Sequence, residues 1–437
     1  MQQSQRAEFN PALEYAVAQA NRIGKGVVVG FGLTDDYPEA NLRHFTFMLE
    51  GLRETAKALE KRGIGMAARL GPPPEVALAL GRDACLIVCD RGYLRHQRSW
   101  RDQVARQAGC RVVQVESDVV VPVETASGKA EIGARTLRPK ICRHLAAFLV
   151  NGQPQPVQVP ASAYPTENLD LNDTASILKN LSIDRRVGPV SFFFKGGTSE
   201  AKRRFADFLS HRLARYAAHH NQPQTGDVSQ MGPYLHFGQI SPVYLALAVN
   251  RAIAPQSAKD AFAEELIVRR ELACNFTEYT ADYDAYDCIP AWARQSLAEH
   301  QSDRRAFVYT PEQLETAQTH DPYWNAAMRE MVCTGFMHNY MRMYWGKKIL
   351  EWSPSPRQAY ALTLLLNNRY FLDGRDPNSY AGVAWVYGVH DRAWPRRAIF
   401  GKVRSMTASG LERKCDIKAY VQKVDALCGL ADSPTIQ

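Results

Sequence analysis

Gly26-Val-Val-Val-Gly-Phe31 is a short continuous apolar run, and two others of its kind follow at Ala84-Cys-Leu-Ile-Val-Cys89 and Arg111-Val-Val-Gln-Val-Glu116. Each reads as a buried β-strand. Between them, residues 42–62 and 74–81 carry apolar side chains at the helical period. Strands alternating with helices predict an open, doubly wound parallel sheet of the α/β class. The start of the chain is unusual for that arrangement. Residues 7–23 already read as a helix, so the strand expected ahead of it is missing or lies upstream of Met1.

Further along, the pattern changes. Residues 145–185 are poor in periodicity and hold Gly152-Gln-Pro-Gln-Pro156, as a connector between domains would. Beyond them helices are predicted at 198–220, 241–253, 258–280, 311–318, 322–352 and 355–371, with irregular loops at 221–240 and 372–397. The division is an α/β domain over 1–130, a connector over 131–197 and an all-helical domain over 198–437.

A chain of 437 residues, 46% hydrophobic and 22% charged, is long enough for two globular cores. It has no apolar run of membrane-spanning length and no apolar stretch after Met1 to act as a signal peptide, so a cytoplasmic protein is expected. The nine cysteines form no Cys-x-x-Cys pair and no zinc-like cluster with histidine. They predict small buried thiols and no metal site. A net charge of +8 permits a polyanionic partner without demanding one.

Six of the seven tryptophans fall between residues 292 and 394. Trp345 and Trp352 are seven apart, so on one helix they share a face about 10 Å apart along the axis. Asn339 and Arg342 fall on the same stripe. A purely apolar core would have to pair that arginine. A polar planar cofactor lying against the helix would satisfy all four, and further tryptophans leading away could relay electrons. In the loop Leu372 to Gly382, Asp373, Arg375, Asp376 and Asn378 suit recognition of hydroxyls and amides, or make an ordinary polar turn. Ser229-Gln-Met-Gly-Pro-Tyr-Leu-His-Phe-Gly238 precedes a helix and offers backbone N–H groups to a phosphate. Generic motif rules stop at a helical cofactor-binding domain.

These segments, with Glu265-Leu-Ile-Val-Arg-Arg-Glu-Leu272, His338-Asn-Tyr-Met-Arg-Met-Tyr-Trp345 and Asp373 to Trp385, resemble the flavin-binding domain of photolyases and cryptochromes. The run Tyr344-Trp-Gly-Lys-Lys-Ile-Leu-Glu-Trp352, Asp373-Gly-Arg-Asp-Pro-Asn378, Val389-His-Asp-Arg-Ala-Trp394 and Ala134-Arg-Thr-Leu-Arg-Pro-Lys140 are similar to class II cyclobutane pyrimidine dimer photolyases, over nearly the whole chain.

The resemblance implies FAD, active when reduced and held in folded form by the helical domain. It implies Tyr216, Ser229, Met231 and Gly232 around the phosphates and ribityl chain, and Arg269, Asn339 and Arg342 beside the cofactor. Arg342 would pair with Asp373, and Asn367 would face flavin N5, with Asn378 the alternative. The implied electron relay runs from Trp345 through Trp324 to Trp352 at the surface. Glu265, Met343 and Trp385 would contact the dimer, and Arg396, Arg397, Lys402 and Arg404 would grip phosphates of single- or double-stranded DNA. Asp391 and Arg392 would stand near the outer end of the relay. An antenna chromophore, deazaflavin or folate, a monomeric state and association with the nucleoid complete the expectations. Relatives of this kind begin with a strand ahead of the segment resembling Gln2 to Arg6. Competing readings are a cryptochrome-like photoreceptor, repair of the (6-4) photoproduct, and a light-independent DNA- or flavin-binding protein.

Overall fold

The structure is a computed structural model that describes residues 1–161 and 168–431. Four parallel strands occupy the N-terminal part: β1 (Val28–Leu33), β2 (Gly65–Leu70), β3 (Leu86–Asp90) and β4 (Arg111–Val115). Helices α1 (Pro11–Arg22), α2 (Leu42–Lys61), α3 (Pro73–Leu80) and α4 (Arg95–Gln107) alternate with them. Two elements escape the sequence pattern. In β2, Gly-Met-Ala-Ala-Arg-Leu is too short-chained to stand out as an apolar run, and the polar surface of α4 hides its period.

The strands pair as β1 with β2, Val28 opposite Gly65, and as β3 with β4, Leu86 opposite Arg111. The two pairs are not joined by a ladder. Between β1 and β3 runs a slot with a cavity of about 490 Å³, lined by Val28 and Val29 on one side and Leu86 to Val88 on the other. Met1 to Ser4 bridge one end of it. The Met1 amine donates to the Gly30 carbonyl at 2.8 Å, and the backbone N–H groups of Gln2, Gln3 and Ser4 converge on the Asp90 carboxylate at 2.6–3.1 Å.

Beyond β4 the described residues form helices and loops, with isolated bridges only at Asn41–Asp184 and Arg397–Gly401. The two parts meet through α2. Buried Arg43 donates to the carbonyls of Gly188, Met331, Val332 and Tyr370, so one guanidinium satisfies chain from three separate segments.

Three details depart from the sequence reading. The helix expected over 322–352 is two, Pro322–Thr334 and Asn339–Trp352, because Gly335 takes a left-handed φ of 74° that ends the first. The loop expected over 372–397 contains a helix, Pro377–Val386, with Asp376 as N-cap and proline at its first position. Of the nine cysteines expected to be buried, only Cys274, Cys415 and Cys428 are. Cys85 precedes β3, and Cys142 lies on the outward side of helix Ala134–Phe148; both are exposed.

Candidate flavin and DNA-lesion site

One cavity of about 590 Å³ gathers most of the residues singled out from sequence. Helix Asn339–Trp352 contributes Asn339, Arg342, Met343 and Trp345 to its wall. Helix Pro356–Tyr370 contributes Asn367 near its C-terminal end. The turn after it brings Asp373, and helix Pro377–Val386 brings Asn378 and Trp385. Tyr216 and the Ser229 to Gly232 turn close another side.

Local geometry explains several of these choices of residue. Gly232 packs so tightly that an added Cβ would lie 2.5 Å from Asp373 Oδ2. Gly374 similarly faces the carbonyls of Asn367 and Phe371 at 2.9 Å, which keeps the Asp373 turn flat against the preceding helix. Arg342 Nη2 reaches both Asp373 oxygens, at 2.9 and 3.1 Å, and its guanidinium carbon stands 3.8 Å from the centre of the Phe371 ring. Asn367 donates to Asn368 Oδ1 at 3.0 Å, and Asn378 to Asp376 Oδ1 at 2.8 Å, so each amide is oriented by a neighbour.

Glu265 and Arg269 arise from a feature without a sequence signature. A long helix runs from Gln256–Ala263 into a π-helical segment, Glu264–Arg269, and on through Arg270–Tyr279. Widened turns of this kind are rare and recur at functional sites. Glu264 takes the ionic contacts, accepting from Arg138 at 2.7 and 2.9 Å and from Arg269 at 3.0 Å. Glu265 is left facing the cavity, accessible through its mouth yet surrounded by protein. Burial pushes its carboxyl up from the usual range, against the opposing pull of Arg269 and His220.

The tryptophans form a chain away from this cavity. Trp345 lines it, 2% exposed, and its indole N–H is buried without a partner. Trp324, outside the cavity wall, donates its own indole N–H to the Trp345 carbonyl at 3.0 Å. The Trp324 and Trp352 rings are 5.6 Å apart, edge to face. Trp352 is not at the surface as expected, being 2% exposed. Tyr309 and exposed His320 each lie 5.4 Å from its ring and cover it.

Sequence reasoning did not single out His236, Thr363, Phe371 or His390, which also line the cavity. His236 pairs with Asp376 at 3.3 Å, a contact between two segments read from sequence as irregular loops. Outside the mouth, Trp394 is flanked by Arg392 and Arg404, at 5.0 and 4.2 Å from its ring. Arg404 is held by both Asp391 oxygens at 2.8 and 3.0 Å, while Arg392, Arg396 and Arg397 are exposed.

The residues present fit a flavin dinucleotide. The cavity is of ligand size, an orphaned buried indole N–H looks for an acceptor, a glycine permits close backbone approach, and an arginine–aspartate pair stands beside two oriented amides. The described residues hold no His/Cys/Asp/Glu cluster suited to a metal, and no helix among them is long and apolar enough to cross a membrane.

A parallel-sheet domain docked on a helical domain with such a cavity is the fold of photolyases and cryptochromes. Solved structures of that fold bear this out: a class III photolyase from Agrobacterium tumefaciens superimposes with a TM-score of 0.72 at 18% identity, covering 99% of this chain and 89% of its own. An archaeal photolyase from Sulfolobus tokodaii, solved with two FAD molecules, gives 0.69 at 15%, covering 98% and 92%. The sequence pattern of the DNA photolyase family matches residues 1–161. The deoxyribodipyrimidine photo-lyase of Methanothermobacter thermautotrophicus is 47% identical over 98% of this chain and 94% of its own, and that of Arabidopsis thaliana 38% identical over 98% and 88%. The chain belongs to the DNA photolyase family and is an enzyme.

Proposed function

We propose that the enzyme repairs cyclobutane pyrimidine dimers in DNA with light, as a class II photolyase does. The observation that carries this is the single cavity in which Glu265, Met343 and Trp385 face the same space as Arg342, Asn367 and Asp373. Substrate and cofactor groups on one wall-to-wall cavity suit direct electron transfer between them.

Reduced FAD, when bound, supplies light-driven one-electron donation with no net redox change. Tyr216, Ser229, Met231, Gly232, Arg269, Asn339, Arg342, Asn367, Asp373 and Asn378, which all line the cavity, would hold it. Trp385 and Met343 replace the stacking lost by a flipped-out dimer, and the Glu265 carboxyl meets its base edge. Trp345, Trp324 and Trp352 carry electrons between the cavity and the outer layer of Tyr309 and His320. Arg396, Arg397, Lys402 and Arg404 contribute phosphate contacts, which makes affinity fall with salt.

An antenna chromophore, deazaflavin or folate, has aromatic walls available where β1 and α4 meet the Arg375 turn. Tyr37, Trp100 and Arg375 line a cavity there of about 70 Å³, which must widen before such a ring enters. Binding in darkness tests the substrate class. The FAD-loaded enzyme is expected to prefer an oligonucleotide carrying one cyclobutane dimer over the undamaged and (6-4) forms. Equal binding of all three would remove the reading.

A further inference from the structure

Lys347 is a buried charge that none of the roles above employs. It lies two residues after Trp345 on helix Asn339–Trp352, with no exposed surface. No carboxylate forms an ion pair with it among the described residues. Instead its ammonium donates to the carbonyl of Val386, the last residue of helix Pro377–Val386. A cation at that end meets the partial negative charge of the helix terminus. The same ammonium stands 5.0 Å from the centre of the Trp385 ring, and the Arg404 guanidinium 5.5 Å from it. The two helices touch closely enough that a Cβ on Gly346 would fall 2.7 Å from Val386.

An apolar side chain of similar length would fill this volume without the cost of burying a charge. The charge therefore does something that volume does not. Trp385 is only half-buried, with the cavity on its open side, so packing alone does not hold its ring. Building on the reading of Trp385 as the lesion wall, we infer that Lys347 is the positioning residue of that wall, its ammonium fixing both the end of helix Pro377–Val386 and the indole plane.

The charged groups facing Lys347 are Asp391, which favours the ammonium, and Arg404, which opposes it. On its own helix, Lys348 is turned to Glu351 at 2.7 Å. Burial outweighs these and pulls the Lys347 pKa down to about 7. Below that pH the ammonium is present; as pH rises through it, the contacts to the helix end and the ring weaken. Asp391 lies below the usual carboxylate range and His390 is lowered to about 4, so neither changes charge in that window.

The experiment measures dark binding of a single-dimer oligonucleotide and its undamaged counterpart by the FAD-loaded enzyme, from about pH 6 to about pH 8.5. Wild type is expected to lose about tenfold in dimer affinity across that range, the scale of a desolvated cation–π contact. Lys347→Met should show the weaker affinity throughout, with no pH slope and flavin absorbance intact. Lys347→Arg should restore the affinity and also remove the slope, since arginine keeps its charge. Undamaged DNA should bind alike in all. A Lys347→Met enzyme with wild-type affinity and slope overturns the proposal. Were that variant not to fold, parallel slopes in wild type and Lys347→Arg would overturn it equally. Trp385→Ala separates the two levels. Unchanged dimer affinity there removes the lesion wall itself and Lys347's role with it, whereas weakened affinity beside a normal Lys347→Met removes only the latter.

Discussion

Arg342 and Asp373 are joined across the cavity wall by one guanidinium nitrogen reaching both carboxylate oxygens, at 2.9 and 3.1 Å. The pair ties helix Asn339–Trp352 to the turn that follows helix Pro356–Tyr370. Removing either charge leaves the other part-buried without its ion-pair partner. Arg342→Gln or Asp373→Asn is expected to weaken flavin retention by about tenfold, the scale of a charge-assisted hydrogen bond. Flavin absorbance per protein after gel filtration checks it.

Trp345 stands between the cavity and Trp324, so its replacement should interrupt the relay without emptying the site. Trp345→Phe is expected to abolish most photoreduction of the oxidised flavin while sparing repair by enzyme reduced beforehand. Transient absorption and a dimer-loss assay on the same preparation separate the two. Loss of both would make Trp345 a structural residue.

Glu265 has a raised carboxyl that faces the cavity, while neighbouring Glu264 takes the arginines. Glu265→Ala is expected to weaken dimer affinity by about tenfold to a hundredfold, as for a lost hydrogen bond to a base edge. Flavin content should not change. If flavin is lost instead, Glu265 belongs to the cofactor.

Asp376 caps helix Pro377–Val386 and is buried beside His236. Burial alone would raise its pKa, but the His236 contact, Arg270 and Asn378 bring it below the usual carboxylate range. A depressed carboxyl contributes stability above its unfolded pKa of about 3.9, and that stability disappears as pH falls through the folded value. Asp376→Asn keeps an acceptor for the cap but not the charge. It is expected to cost about 1–2 kcal/mol near neutral pH, with the gap from wild type narrowing below about pH 4. Thermal melts over pH check it.

Much of this was legible in the chain because the chemistry is local. Apolar runs marked β1, β3 and β4, and the seven-residue spacing of Trp345 and Trp352 with Asn339 and Arg342 marked one helix face. What was hidden depends on tertiary contacts. The π-helical turn at Glu264–Arg269 has no propensity signal, since it is the surrounding packing that decides how a helix is wound there. Trp352 looked terminal because sequence does not reveal that Tyr309 and His320 fold over it. The slot between β1 and β3, and the meeting of Lys347 with the end of helix Pro377–Val386, are likewise products of how distant segments pack.

The most direct test of the proposed activity is loss of cyclobutane thymine dimers from an oligonucleotide incubated with chemically reduced, FAD-loaded enzyme, in blue light and in darkness. Dimer loss in light alone, with (6-4) products untouched, is the expected result. Intact dimers under light, despite bound and reduced flavin, would contradict it.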